Sequence, residues 1–342
     1  MHDCGLNIPD QLCRNYWQHL DDVNDEVAVS SRQLRRLADQ EVWPIGIHGD
    51  EANIGLVNAP FDKILGVFMN VPLFRPRSTL VSRYLLFSVE HSRIVDVHRT
   101  INPVLTEIVA SLNRCLETGI LGRRFIVTEL RGDQVWIKFL FQHRSSWQGV
   151  PVCFRCQAST RATDVNYLFY DKWLPTLRST MDFLVEELPD QMSPLTQLHF
   201  FSMNSIKPCT LHILNLGLLH ISNGSTMAML LHMHYFGEVV RGSDPNGYRS
   251  ACEEAYRDFQ NWRRTHKVVC CVKRFSFWSV FKDEYGAYMN TKGYAARVLS
   301  SWLEDCLDRA VSTPPPHMKA DDRLIYTQAA LKGVNRFFGL VE

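Results

Sequence analysis

Residues 42–51 read VWPIGIHGDE, a short run of β-branched and aromatic residues that gives way to a polar turn. Such a run is typical of a buried strand, so we predict strand one over 42–47, with Asp50 in the turn at its tip. Two further apolar runs, 63–73 and 80–89, are each bounded by proline, arginine or serine. Three consecutive strands predict an antiparallel meander.

The segment after the meander predicts a helix and then a fourth strand. Apolar residues recur at helical spacing over 104–116, behind a proline suited to a first helical turn and ahead of Gly119. Residues 123–130 read RRFIVTEL, a β-branched run that ends at Gly132 and Asp133, and an amphipathic stretch follows over 135–141. Strand one and strand four are therefore each predicted to end at an aspartate.

The remainder of the chain is predicted to be mostly helical. Apolar residues at helical spacing predict helices over 173–187, 224–240, 251–262, 293–310 and 320–338. The prolines of 312–316 predict a linker. We accordingly expect a helical lead-in over 1–41, an α/β core over 42–240 and a helical C-terminal region over 241–342.

Composition limits the class of protein. The 37 basic and 36 acidic residues nearly cancel, so any contact with DNA must come from a local patch and not from a global field. Ten scattered cysteines and an N-terminus without a signal pattern predict an intracellular, reducing location. The most apolar stretch, 211–236, contains several histidines and asparagines that are costly in lipid, which argues against a membrane span.

The order of the two aspartates points to a fold class. In a ribonuclease-H-like sheet, one acid lies on the first strand, a second lies just after the fourth, and those two strands are neighbours. We therefore predict an α/β fold with a mixed sheet, in which strands one to three are antiparallel, strand four lies beside strand one, and helices flank both. Asp50 and Asp133 would then bind Mg²⁺ for phosphodiester cleavage. The alternative is that both are ordinary turn residues, because aspartate beside glycine is common at strand ends.

Several short motifs resemble transposon-derived open reading frames that look like distant relatives of the KDZ-type DDE transposases. They are HGDE at 48–51, GDQVW at 132–136, CFRCQAS at 153–159, LHILNLG at 211–217, KGYAA at 292–296 and AALKGVN at 329–335. The resemblance runs from about Pro44 to the end of the chain. It implies a nuclear protein with an ancestral cut-and-join reaction on DNA and Mg²⁺ on the paired aspartates. Such proteins often continue further, which predicts a truncated chain.

The chain departs from the family pattern at the third acid. The segment that resembles the family's Asp-Leu-Leu-His-x-x-Asp-Leu-Gly carries Cys209 and Asn215 where acids are usual. A replacement acid is predicted at Glu238, with Glu186 and Glu187 as alternatives. Two interpretations therefore stay open: a metal-dependent enzyme, or a domesticated or decayed copy that is inactive and binds DNA or protein.

A separate metal hypothesis comes from one pair of cysteines. Cys153 and Cys156 have the spacing of half a tetrahedral zinc site. The candidate distal ligands are His212, His199 and His220. The alternatives are buried thiols without a metal and a redox pair.

Overall fold

The structure, a computed structural model, describes residues 9–53, 63–74, 82–142, 153–159, 170–186, 192–209, 211–239, 245–282, 286–316, 318 and 321–341. It divides the chain into two compact units, Met1–Cys209 and Thr210–Glu342. The predicted boundary at 240 is not tested by this division and stays a prediction.

The first unit contains the predicted sheet and its flanking helices. Its elements are α1 (Asp10–Asp22), α2 (Glu26–Leu37), β1 (Glu41–Asn53), β2 (Lys63–Asn70), β3 (Arg83–Glu90), α3 (Asn102–Thr118), β4 (Arg123–Gly132), α4 (Gln134–Phe141), α5 (Tyr170–Trp173), α6 (Thr180–Glu186) and β5 (Ile206–Pro208).

The sheet has five strands in the order β3-β2-β1-β4-β5. β1 pairs with β2 and β2 pairs with β3 in antiparallel fashion, whereas β4 is parallel to both β1 and β5. The predicted fold class is confirmed: a mixed α/β sheet with strand four beside strand one, flanked by helices, consistent with a ribonuclease-H-like arrangement.

β1 is longer than predicted, and residues 48–51 are strand and not turn. Its pairing with β4 ends at His48, but its pairing with β2 continues through Asp50 opposite Gly66 to Asn53 opposite Lys63. The second partner supplies backbone hydrogen bonds beyond the point where the apolar run stops. Asp50 is therefore an exposed strand residue.

The two N-terminal helices are tied to the start of β1. The Trp17 Nε1–H donates to the carbonyl of Val42 at 2.8 Å, and the Cys13 thiol donates to the same oxygen at 3.1 Å. Asp25 caps α2 by accepting from the backbone N–H of Val27 at 3.0 Å. The break expected between the two lead-in helices is thus fixed by a capping aspartate.

One predicted helix of this unit, 173–187, is interrupted. The structure has α5, a 3₁₀ turn at Leu174–Thr176, and then α6. Pro175 lies in the turn, where it lacks the N–H that a continuing helix needs. Asp182 then accepts from the backbone N–H of Ser179 at 2.9 Å and restarts the helix.

The second unit is mainly helical, as predicted for the C-terminal half. A π-helical segment (Leu211–Leu218) leads into α7 (Leu219–His232), and there follow α8 (Arg249–Thr265), α9 (Phe277–Val280), β6 (Phe281–Lys282), β7 (Gly286–Ala287), α10 (Gly293–Ser312) and α11 (Arg323–Val341). Among the described helices, none combines the length and apolarity needed to cross a membrane.

A cluster of aromatic rings forms the centre of this unit. Trp302 is fully buried and packs against Phe236, Phe259 and Phe275, with ring centroids 5.2 to 5.9 Å apart. Its Nε1–H donates to Asp258 at 2.8 Å. The helices α8 and α10, which carry Asp258 and Trp302, are therefore joined by both apolar packing and a hydrogen bond.

The helix predicted over 224–240 ends earlier. α7 stops at His232, and the chain then adopts positive φ at His234 (59°) and Gly237 (107°). Positive φ is incompatible with a continuing right-handed helix. Glu238, predicted within this helix, is instead an exposed residue in the segment that follows it.

Candidate functional site

The strand register brings the two predicted aspartates to the same level. The last pair between β1 and β4 is His48 with Arg131, and Asp50 and Asp133 each lie two residues further along. The backbone at Asp133 is still extended, with φ −71° and ψ 170°. Because neighbouring strands are about 4.8 Å apart, this register puts Asp50 and Asp133 at matching backbone positions just beyond the last pair of adjacent strands.

A bulge in β4 creates this alignment. Ile45 pairs with Val127, but Gly46 pairs with Glu129, so Thr128 is an extra residue on β4. The Thr128 hydroxyl lies 3.0 Å from the Tyr16 hydroxyl, which donates to it. A bulge shifts the register by one residue and changes which side chains share a face. Without the bulge, Asp50 and Asp133 would be one residue out of register.

The imidazole of His48 is within electrostatic range of both aspartates. Burial is the main cause that lowers the pKa of His48, and the positive charge of Arg83 adds to this effect. The carboxylates of Asp50 and Asp133 raise the pKa of His48, and the positive charge of Arg131 lowers it again. The net result is a lowered pKa, which favours the neutral form of the His48 imidazole.

Trp136 lies directly behind the two strand ends. A Cβ atom added at Gly49 would come within 1.7 Å of the Trp136 indole, and one added at Gly132 within 2.3 Å. The indole, only 4% exposed, therefore packs on two stretches of bare backbone that precede Asp50 and Asp133. One side chain thus packs against both strand ends that carry the aspartates.

Asp133 also has a structural role. Its Oδ1 accepts from the backbone N–H of Trp136 at 2.6 Å and so caps α4. Capping fixes the start of the helix on which Trp136 is placed. The same carboxylate therefore both lies at the candidate site and positions the indole behind it.

The carboxylate of Asp50 is bonded only to backbone among the described residues. Asp50 is exposed, and its Oδ1 accepts from the backbone N–H of Glu51 at 2.9 Å. In the part of the chain that the structure describes, no basic side chain forms an ion pair with Asp50. Arg131, the nearest strand neighbour in register, forms its ion pair with Glu129 at 2.5 Å. The carboxylate of Asp50 is thus accessible to a cation.

The predicted third acids are not placed beside this pair by any described contact. Glu238 belongs to the second unit, the side chain of Glu186 lies outside the described residues, and so does the whole of Glu187. Within the described ranges, no three histidine, cysteine, aspartate or glutamate side chains form a group that could hold a metal ion. The assignment of a third acid stays a prediction.

The Cys153 and Cys156 thiols are brought together by a tight turn. The backbone N–H of Arg155 donates to Cys153 Sγ at 3.3 Å, and a backbone hydrogen bond from Ala158 reaches the sulfur of Cys156. Burial raises the pKa of Cys156, the Ala158 bond lowers it in part, and the nearby Cys153 raises it again. The two sulfurs are therefore neighbours, each with a backbone donor.

The histidines predicted as distal zinc ligands have other partners where the structure describes them. His199 Nε2 lies 2.8 Å from a Glu117 carboxylate oxygen. His220 belongs to the second unit, where its ring nitrogens contact the Tyr288 hydroxyl and the Thr291 carbonyl at 2.8 and 2.6 Å. The side chain of His212 lies outside the described residues.

Sequence reasoning missed Trp136 and His48 as parts of the site. A signal for Trp136 was present, because the dipeptide Gly-Asp occurs at the end of both strands. Glycine inside a strand often marks close approach of another group to the backbone. No corresponding sequence signal identified His48, whose role depends on the face that the register selects.

Comparisons with known proteins found no match that assigns a function. No protein-family model matches the chain, and no curated protein matches its sequence. The paired strand ends, the nearby His48 and the indole behind them are therefore the observations from which a function is argued.

Proposed function

We propose that the chain is a transposase-related protein whose first unit retains an ancestral site for metal-dependent DNA strand cleavage and transfer, with fewer carboxylates than the resembled family has. The observation that supports this proposal is the register of β1 and β4, in which Asp50 and Asp133 each follow the last pair, His48 with Arg131, by two residues. Trp136, which lies behind both, supports it, since a site needs ligands on rigid elements.

The donor groups present fit Mg²⁺. Carboxylate oxygens are the ligands that Mg²⁺ prefers, and it is often held by only one or two of them together with water. Asp50 would bind through its exposed carboxylate, and Asp133 would supply the second carboxylate. A bound ion would stabilise charge on phosphodiester oxygens.

Nicking of supercoiled plasmid DNA by the full chain tests this function. With Mg²⁺ or Mn²⁺ we expect nicking that falls at least about a hundredfold in Asp50→Asn, equal to about 2.7 kcal/mol of activation free energy. Asp322→Asn, which removes an exposed carboxylate of the second unit, is the matched control and should leave nicking unchanged. Equal cleavage by the parent and Asp50→Asn would remove the enzymatic proposal.

A second candidate function is an inactive domain that binds DNA or protein with the same scaffold. It is favoured by the capping role of Asp133, which commits one of its oxygens to α4. Cys209 and Asn215 at positions where the resembled family has acids favour it as well. A parent protein that binds DNA but shows no metal-dependent nicking would select this function over the first.

We also propose that Cys153 and Cys156 supply two thiolate ligands to a structural Zn²⁺. The turn that joins them brings the two sulfurs together and gives each one a backbone donor. Two thiolates are half of a tetrahedral zinc set.

The zinc content of the purified chain checks this proposal. We expect about one zinc per chain in the parent and a clear loss in Cys153→Ser, because thiolates are the ligands of structural zinc. Cys271→Ser is the control, since that thiol is exposed and outside the turn. Protein with no zinc, or with the same zinc content in both variants, would dismiss the metal in favour of free thiols.

A further inference from the structure

A small cavity of about 250 Å³ lies in the second unit beside the start of α10. Two chain segments and one serine line it: 271–275, 289–292 and Ser279. Pockets for drug-sized ligands usually measure roughly 300 to 1,000 Å³. The volume therefore matches a single small group and not an extended ligand.

The cavity lining carries positive charge only. It includes Lys273, Arg274 and Lys292, and it includes no aspartate or glutamate. In the described part of the second unit, no carboxylate forms an ion pair with any of these three side chains. Like charges close together repel one another, and an anion in the cavity would relieve that repulsion.

The start of α10 adds a second attraction for anions. Lys292 is the residue before this 20-residue helix, and it forms no side-chain cap. The first helical hydrogen bond runs from the N–H of Ala296 to the carbonyl of Lys292. The N–H groups of the first turn have no helical acceptor, and they lie at the positive end of the helix dipole.

Thr291 supplies an independent observation. Its Oγ1 is buried and has no hydrogen-bond partner among the described residues, although the residue lines the cavity. A buried hydroxyl without a partner is unfavourable. An oxygen-rich anion in the cavity would accept the hydroxyl proton, which neither a cation nor an apolar ligand would do.

We infer that this cavity binds a phosphate group. A phosphate has several strong acceptor oxygens, which suit the planar guanidinium of Arg274 and the two ammonium groups together, near the positive end of the α10 dipole. The phosphate can belong to a nucleic-acid backbone or to a small phosphate ester, because both present the same oxygens. The inference concerns the second unit alone and does not depend on the reaction proposed for the first.

Calorimetric titration of the full chain with inorganic phosphate, at an ionic strength held constant with chloride, tests the cavity. We expect Arg274→Gln and Lys292→Gln each to weaken phosphate binding about tenfold or more, as befits the loss of a charge-assisted hydrogen bond. Thr291→Val keeps the charge and removes the hydroxyl, and should weaken binding by about threefold or more. Arg336→Gln is the matched control, an exposed arginine outside the cavity, and should bind as the parent does.

A parallel titration with a single-stranded DNA oligonucleotide identifies the source of the phosphate. Weaker oligonucleotide binding by Arg274→Gln assigns the cavity to the nucleic-acid backbone, whereas loss confined to inorganic phosphate assigns it to a small ester. Circular dichroism confirms that each variant is folded. The inference is overturned if the parent binds no phosphate, or if all three cavity variants bind phosphate with the affinity of the parent.

Discussion

Replacing Trp136 by alanine is expected to destabilise the first unit by about 3–5 kcal/mol, the range typical for removal of a buried tryptophan. The indole is 4% exposed and packs on the backbone at Gly49 and Gly132. Its loss would leave a cavity that spans two neighbouring strands. Because those strands carry Asp50 and Asp133, the variant should also loosen the candidate site.

Amide hydrogen exchange in β1 and β4 measures this effect locally, which matters because the chain has two units that need not unfold together. Trp278→Ala is the matched control, since Trp278 is 61% exposed and belongs to the second unit. Protection in β1 and β4 should fall in Trp136→Ala and stay unchanged in the control. A loss of less than about 0.5 kcal/mol, the size of an ordinary surface change, would show that the indole does not hold the strand ends.

The second large effect is expected on metal binding. Asp50→Asn should weaken Mn²⁺ binding by about a hundredfold or more, because loss of a direct ligand should exceed the 10- to 100-fold cost of altering its outer partners. Asparagine keeps the oxygen that accepts from Glu51 and removes only the charge. Asp133→Asn should have a similar effect while α4 stays capped, since asparagine caps helices as well as aspartate does.

The positions of the first four strands along the chain could be predicted because apolar runs and turn residues alternate clearly from Val42 to Leu130. β5 could not, because Ile206–Pro208 has only three residues and depends on its pairing with β4. The full length of β1 was missed for the same reason, since its end is fixed by β2 and not by local apolarity. Sequence patterns thus gave the elements whose residues are themselves apolar and regular.

The candidate site was only partly predictable. Asp50 and Asp133 could be named from their positions in the strand order, but their alignment depends on the Thr128 bulge. A bulge is a property of the paired strands, and no local pattern in the sequence marks this one. The early end of α7, which leaves Glu238 outside the helix, likewise depends on left-handed backbone at His234, a non-glycine residue.

The central claim is that two aspartates from separate strands form one cation site. Mn²⁺ titration of the parent, Asp50→Asn, Asp133→Asn and the double variant tests it, because residues that share one ligand give strongly non-additive losses. A shared site predicts that the double variant binds no more weakly than the weaker single variant. Losses that simply add, or Mn²⁺ binding by Asp50→Asn equal to that of the parent, would contradict it.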